Sequence, residues 1–548
     1  MNVDAQTDVE DPAARFAADV KAAIADGDLQ RALDLSNRAI SRGLRHPQFF
    51  LLRGRRSQAA GHLQFALEDY QRAAALAPYD ASTHEAVAAC AMKLGNYRPA
   101  ADAYSAILAI DWNRPDIHNQ LGVALANVGD SEEAQRAHEN AVQLDPQHVD
   151  SLASLALIMA RKGKGAEARD FAAKALAIDP RQATAMVAMG QAYMVDRLYA
   201  EAEKCFADLL ATDILFAENR APVLTLLGDA LDAQKKYADA FPCYVQANEE
   251  LRRQHAAEQG SNAAPEAARS LITYFENDRT GRWSTQSQGD AVEGEFDQHV
   301  FLLGYMRSGT TLLEQVLASN PNIVALEEKG LLARPGDEYL TSVWALDNLA
   351  TLSEVELTKL RKQYWRKVRE YLPDATAKVF VDKQPLYTTK LPLIAKLFPK
   401  ARILFAIRDP RDVVFSCFRR NFKVSGTQYE FLNIESCARI YSLIMRVGEV
   451  SREKCALNVL EHRYEDMIED FDGRIRAVCD FIGVEWAETM RRFDEHRSVA
   501  DLRSPSALQV RRPLYSDGVG QWRRYAEQLK PVLPILEPWA VKFGYARD

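Results

Sequence analysis

Two stretches of this 548-residue chain combine hydroxyl and arginine side chains, the first with glycines besides, in the manner of an anion-binding site. The first, GYMRSGTTLLEQVLASNP, follows the apolar run VFLL, which reads as a fully buried parallel strand. Leu312, Leu313, Val316 and Leu317 then recur at helical spacing, so the unit is strand, glycine loop, helix. That order aims backbone N–H groups and a helix N-terminus at an anion. Gly304 and Gly309 have the gap of a nucleoside-triphosphate loop, but Thr310 stands where such a loop carries lysine, which weakens a kinase or NTPase reading. Arg307 offers positive charge from inside the loop, and Ser308, Thr310 and Thr311 offer hydroxyl donors.

The second stretch, ARILFAIRDPRDVVFSCFRR, reads as another buried strand ending at Arg408, then Asp409 and Pro410 as N-cap and first helical residue. Ser416 and Arg420, four apart, share a helix face, and Arg408 sits at a strand's carboxyl end, where α/β folds bind ligands. Read alone, Arg408, Arg411, Arg419 and Arg420 would be a solvated charge cluster. Beside the first loop they imply a second anion site.

In this order, about a hundred residues apart, the two segments resemble the 5′-phosphosulfate loop and the 3′-phosphate segment of the sulfotransferase family. The resemblance implies that Arg307, Ser308, Gly309, Thr310 and Thr311 hold the 5′-phosphosulfate of 3′-phosphoadenosine 5′-phosphosulfate, and that Arg408 and Ser416 hold its 3′-phosphate. Arg420 matches a further donor-binding position of the protein-tyrosine branch. HRYEDM makes Tyr464 a candidate for the adenosine, and SPSALQVRRPLYSDGVGQWRRY resembles the C-terminal segment over the nucleotide, implicating Ser506 and Arg523. NPNIVALEEKG places Glu327 and Glu328 where that branch carries an acidic pair, with Glu328 in the position of the base. Lys383, in VDKQPL, matches the catalytic lysine, and Ser506 would help position the bridging oxygen. Where that branch has a lysine before the tryptophan of the C-terminal segment, this chain has Gln521 before Trp522, so Arg523 or Arg524 is the substitute charge. No metal is implied. The tyrosine branch is favoured; a sugar, a lipid-linked glycan and a small phenol stay open as acceptors.

The elements that must carry these residues begin near His299; what precedes them is a repeat. Ala32, Ala66, Ala100, Ala134, Ala168 and Ala202 recur every 34 residues, and Ala240 closes a seventh unit after a longer interval. Gly27, Gly61, Gly95, Gly129 and Gly163 precede the alanine by five, suiting a turn that visits the left-handed region; Arg197 and Lys235 stand there in the last two units. Aromatics follow by four (Tyr70, Tyr104, Phe206, Tyr244) and prolines by twelve (Pro78, Pro146, Pro180). The pattern resembles the tetratricopeptide repeat. The expected architecture is an all-α solenoid over residues 14–250, a linker with a docking helix (LITYFEN) over 251–297, and an α/β P-loop-like domain with a mainly parallel sheet over 298–548.

The formal net charge of −8 argues against a general nucleic-acid binder. The start of the chain lacks the charge and apolar pattern of a secretory signal, no apolar run is long enough to span a membrane, and seven scattered cysteines read as free thiols; a cytoplasmic enzyme is expected. The repeats offer a surface for an acceptor protein or peptide, or serve as scaffold. A nucleotide-binding adaptor without turnover is the alternative from another class, and the oligomeric state is not readable.

Overall fold

A computed structural model describes residues 11–256, 263–284, 296–373, 376–495 and 518–547. By packing, the chain divides into two units, Met1–Cys205 and Phe206–Asp548.

The first unit is built of antiparallel helix pairs, beginning Pro12–Ala25 with Leu29–Ser41 and Pro47–Ala59 with Leu63–Leu76. The repeat alanines Ala32, Ala66, Ala100, Ala134 and Ala168 are all 0% exposed, because only a methyl fits where paired helices approach. The aromatic position fills a notch made by a small residue on the partner helix: a Cβ on Gly54 would lie 2.6 Å from the Tyr70 ring, and one on Gly122 would lie 2.6 Å from His138. The turn glycines have φ between 71° and 97°, and Arg197 keeps the same left-handed turn at φ 60°. The repeat register therefore outlasts the glycine, and an L side chain there bears ~1–2 kcal/mol of steric cost.

The second unit opens with the last repeat pair, Ala217–Ala233 and Tyr237–Gln254, whose turn residue Lys235 has φ 64°. Leu231, Ala240 and Tyr244 belong to the same core as the sheet residues Phe301 and Phe405. The solenoid read over 14–250 thus divides by packing before its last pair, because that pair buries its apolar face in the C-terminal core. The LITYFEN segment lies in the Ala263–Asn277 helix, which buries Leu271 and Phe275 in that core and ties Glu276 to Arg446 at 2.6 Å.

Five parallel strands follow: β1 (Gln298–Leu303), β2 (Ile323–Glu327), β3 (Val379–Lys383), β4 (Arg402–Ile407) and β5 (Asn458–Arg463), in the order β2-β3-β1-β4-β5. The sheet is apolar on both faces: Phe301, Phe380 and Phe405 enter one core, and Val300, Val381 and Leu404 the other. This double burial is why the strands read as continuous apolar runs. The carboxyl ends of adjacent β1 and β4 deliver side by side the two segments expected to bind anions. Among the described residues no helix is long and apolar enough to cross a membrane, and all seven cysteines are free.

Candidate active site

The loop after β1 is shaped by backbone that most residues avoid. Gly304 has φ 148° and a Cβ there would lie 2.3 Å from the Ala406 carbonyl; Gly309 has φ 87° and a Cβ there would lie 2.6 Å from the Tyr464 ring. Both positions therefore demand glycine. Arg307 itself is left-handed at φ 67°, the kind of local strain that functional sites retain. Ser308, Thr310 and Thr311 are buried, and the Thr310–Ala318 helix has as its N-cap Gly309, which offers no side chain to its first-turn amides.

Two motifs far apart in sequence meet here. Arg307 Nε donates to Ser416 Oγ at 2.9 Å, and Arg408 Nη1 donates to the Arg307 carbonyl at 2.9 Å. Burial and the neighbouring guanidiniums of Arg420 and Arg408 depress Arg307 to about 9. Burial is the larger cause, and the two guanidiniums add positive charge that an anionic ligand would relieve. The Nε atoms of Arg408 and Arg420 are also buried with no acceptor among the described residues. The donor set fits phosphate-class anions.

The surface-cluster reading of the arginines fails on burial. Arg408 is 8% and Arg411 1% exposed; Arg411 is turned inward, bonded to Asp409 at 2.7 Å and stacked 4.0 Å from the Trp522 ring. Asp409 caps the Pro410–Phe418 helix as its sequence suggests. Arg420 Nη1 pairs with Asp229 at 2.7 Å. Tyr464 is buried between Gly309 and the Arg408 guanidinium, 4.9 Å above its ring, so it props the loop from below. Asp412 accepts from the amides of Gly520 (2.7 Å) and Trp522 (2.8 Å), pinning the C-terminal segment; burial, opposed by Arg408, pushes its carboxyl up to about 6. Arg523 is exposed with its guanidinium 5.2 Å from the Trp522 ring, and Ser506 lies outside the described residues.

At the other end of the site, fully buried Lys383 reaches three carboxylates: Glu328 at 2.8 Å, Glu327 at 2.9 Å and Glu314 at 3.3 Å. Neighbours along a strand point to opposite faces, so Glu327 and Glu328 could not both reach one amine in regular β structure. The left-handed turn at Glu328, φ 49°, breaks the alternation, while its amide still donates to the Lys383 carbonyl at 2.9 Å. Burial pushes the lysine down, but Glu314, Glu328 and Glu327 more than reverse this and hold it charged. Burial, countered by Lys383, pushes Glu314 up to about 7. Glu314 and Asp229 were not anticipated. The only trace of Glu314 is a polar pair, Glu314 and Gln315, inside an apolar helix; Asp229 leaves none, since its partner is 191 residues away.

Residues 299–488 match the model of the sulfotransferase family, and residues 119–183 match that of the tetratricopeptide repeat. An uncharacterized protein of Aquifex aeolicus is 25% identical over 60% of this chain and 43% of its own length. Protein-tyrosine sulfotransferase 1 of Danio rerio is 21% identical over 45% of this chain and 72% of its own, and the protein-tyrosine sulfotransferase of Drosophila melanogaster is 23% identical over 45% and 53%. This chain thus spans less than half of the Aquifex relative.

Proposed function

Because the chain joins tetratricopeptide repeats to a domain of the sulfotransferase family, we propose that it moves a sulfuryl group from 3′-phosphoadenosine 5′-phosphosulfate to an acceptor hydroxyl, the phenol of a peptide or protein tyrosine being the favoured class. The observation that carries the reading is the joining of the two candidate anion-binding segments by the Arg307–Ser416 bond, with Lys383 at the end of β3 facing an acidic pair at the end of β2. When bound, the donor supplies the sulfuryl group and departs as adenosine 3′,5′-bisphosphate.

Arg307, the hydroxyls of Ser308, Thr310 and Thr311, and the uncapped helix amides would hold the 5′-phosphosulfate; Arg408, Ser416 and Arg420 would hold the 3′-phosphate. Glu328, the most exposed carboxylate of the trio with 41% of its side chain accessible, takes the acceptor proton as the new oxygen–sulfur bond forms. A phenol suits a carboxylate base better than an aliphatic alcohol does, because its reference pKa of about 10 is several units lower. Lys383 stabilises charge on the bridging oxygen as the old sulfur–oxygen bond breaks. The repeats are the candidate surface for an extended acceptor.

The test is mass spectrometry of tyrosine-containing peptides, and of a lysate, incubated with the protein and 3′-phosphoadenosine 5′-phosphosulfate. Sulfated tyrosine is expected. Absence of any sulfated product, together with no preference for adenosine 3′,5′-bisphosphate over adenosine 5′-phosphate in binding, would remove the proposal.

A further inference from the structure

The Pro410–Phe418 helix is followed by its C-cap Arg419 and then Arg420, which lies past the helix end and off the helical face that its spacing from Ser416 predicts, and the groups that receive this end come from the last repeat pair. Asn248 Nδ2 donates to the Phe418 carbonyl at 2.8 Å, satisfying one of the acceptors a helix C-terminus leaves open. Thr225 Oγ1 donates to Asn421 at 3.1 Å. Asp229 Oδ2 takes Arg420 Nη1 at 2.7 Å, while Asp229 Oδ1 accepts from Tyr244 O–H at 3.0 Å. Tyr244 is itself buried with its ring edge-on to Phe415 of the same helix, 6.3 Å between centroids. The carboxylate is thus held at both oxygens, one by a rigid aromatic and one by the arginine.

We infer that Asp229 of the last repeat pair is a positioning residue for the donor's 3′-phosphate, holding Arg420 in the pocket shared with Ser416 and Arg408. The inference rests on the sulfotransferase reading above.

Charge decides the direction of the effect. Arg307, Arg408, Arg419 and Arg420 bring four guanidiniums together, and Asp229 and Asp232 are the carboxylates that face Arg420 and Arg419, Asp232 at 3.9 Å from Arg419. Burial works against ionised Asp229, but Arg420 and Arg419 hold its carboxyl below the usual range. With its counter-charge removed, Arg420 gains by swinging toward water, since 24% of its side chain is already accessible. An arginine that leaves the pocket is lost to the phosphate. Against this stands the repulsion between Asp229 and a bound anion; the hydrogen-bonded, partly buried geometry makes the loss of placement the larger effect.

The experiment is calorimetry on the full chain with adenosine 3′,5′-bisphosphate and adenosine 5′-phosphate as probes. Arg420→Ala is expected to reduce the bisphosphate preference. Asp229→Asn should reduce it by roughly tenfold, leave adenosine 5′-phosphate within about twofold, and add nothing in the Arg420→Ala background. Tyr244→Phe keeps the ring packing and removes one bond to Asp229, so a smaller loss of the same kind is expected, and it serves if Asp229→Asn fails to fold. Loss of preference in Arg420→Ala but not in Asp229→Asn or Tyr244→Phe overturns the positioning role alone. Tighter bisphosphate binding by Asp229→Asn also overturns it, because Asp229 would then be a competitor of the phosphate. A wild-type chain without bisphosphate preference overturns the donor reading itself.

Discussion

The ammonium of Lys383 lies 3.3 Å from Glu314 Oε2, on the helix that starts at the glycine loop after β1, so the amine bridges that helix to the acidic pair ending β2. One positive charge faces three carboxylates, which would leave the site strongly negative if all were ionised. Glu314, 3% exposed, is the one burial keeps protonated up to about pH 7.

Ionisation of Glu314 as pH rises places a further negative charge beside an anionic donor. Glu314→Gln and wild type are therefore expected to bind adenosine 3′,5′-bisphosphate equally at low pH, where both side chains are neutral. Well above neutrality the variant should bind tighter by about fivefold. The ratio of the two affinities cancels the titration of the ligand's own phosphates. Calorimetry across this range gives the answer; a constant ratio would mean that Glu314 does not titrate there.

Glu328→Gln should lower turnover by roughly a hundredfold or more while leaving bisphosphate affinity within about twofold. In the proposed reaction the carboxylate acts on the acceptor's proton and its side chain opens to solvent, whereas the donor would be held by Arg307, Arg408 and Ser416. Single-turnover rates with a tyrosine peptide, set beside nucleotide binding, test this. Equal loss of nucleotide affinity would reassign Glu328 to the donor pocket.

How much of this was legible before the fold was known follows the distance over which each interaction is made. The loop 304–311 and the Arg408–Arg420 segment carry their chemistry in consecutive residues, so glycine, hydroxyl and arginine could be read together. The repeat register was legible because each unit repeats the same local packing, and it holds even where Arg197 and Lys235 replace the turn glycine, as their φ values of 60° and 64° record. Periodicity reports that a helix pair exists, not what it packs against. That is why the Ala217–Gln254 segment reads as one more repeat although it belongs to the C-terminal core. The Lys383–Glu314 and Arg420–Asp229 pairs arise only when distant elements meet, and a single acidic residue on a helix carries no mark of its partner.

Packing of the last repeat pair sets where the chain can be shortened. A protein beginning at Phe206 should fold and bind adenosine 3′,5′-bisphosphate, since it retains Asp229, Tyr244 and Asn248. One beginning at Ala263 strips Leu231, Ala240 and Tyr244 from the core and bares Phe418, which stacks on Phe241 at 5.5 Å. A loss of more than about 3 kcal/mol is expected, seen as aggregation or a lowered urea midpoint. Full stability and binding in the shorter protein would show that the pair is peripheral.

The last expectation concerns a polar chain buried under the opposite face of the sheet. Tyr364 O–H donates to Asp382 Oδ2 at 2.8 Å, and His299 Nε2 lies 2.9 Å from the same hydroxyl. The single phenolic proton goes to Asp382, so His299 donates from Nε2. Burial raises the Asp382 carboxyl to about 7 and lowers His299 to about 3. For Asp382 the folded chain keeps a proton that the unfolded chain releases near the ordinary value of 3.8, so its contribution to stability is full below that value and is lost as pH rises toward about 7. His299 works in the opposite sense between about 3 and the ordinary value of 6.5, being neutral when folded and charged when unfolded. The total pH profile therefore mixes two opposed titrations, and the difference between wild type and Asp382→Asn isolates the carboxyl. The amide can still accept from Tyr364, but its NH2 replaces an oxygen that has no donor among the described residues, costing about 1–2 kcal/mol at low pH. That deficit should shrink as pH rises from about 4, by up to about 1.4 kcal/mol per unit, and should already be reversed at 7. Urea midpoints of both proteins across this range provide the check, and a deficit independent of pH would show that Asp382 does not change its protonation between the folded and unfolded chain.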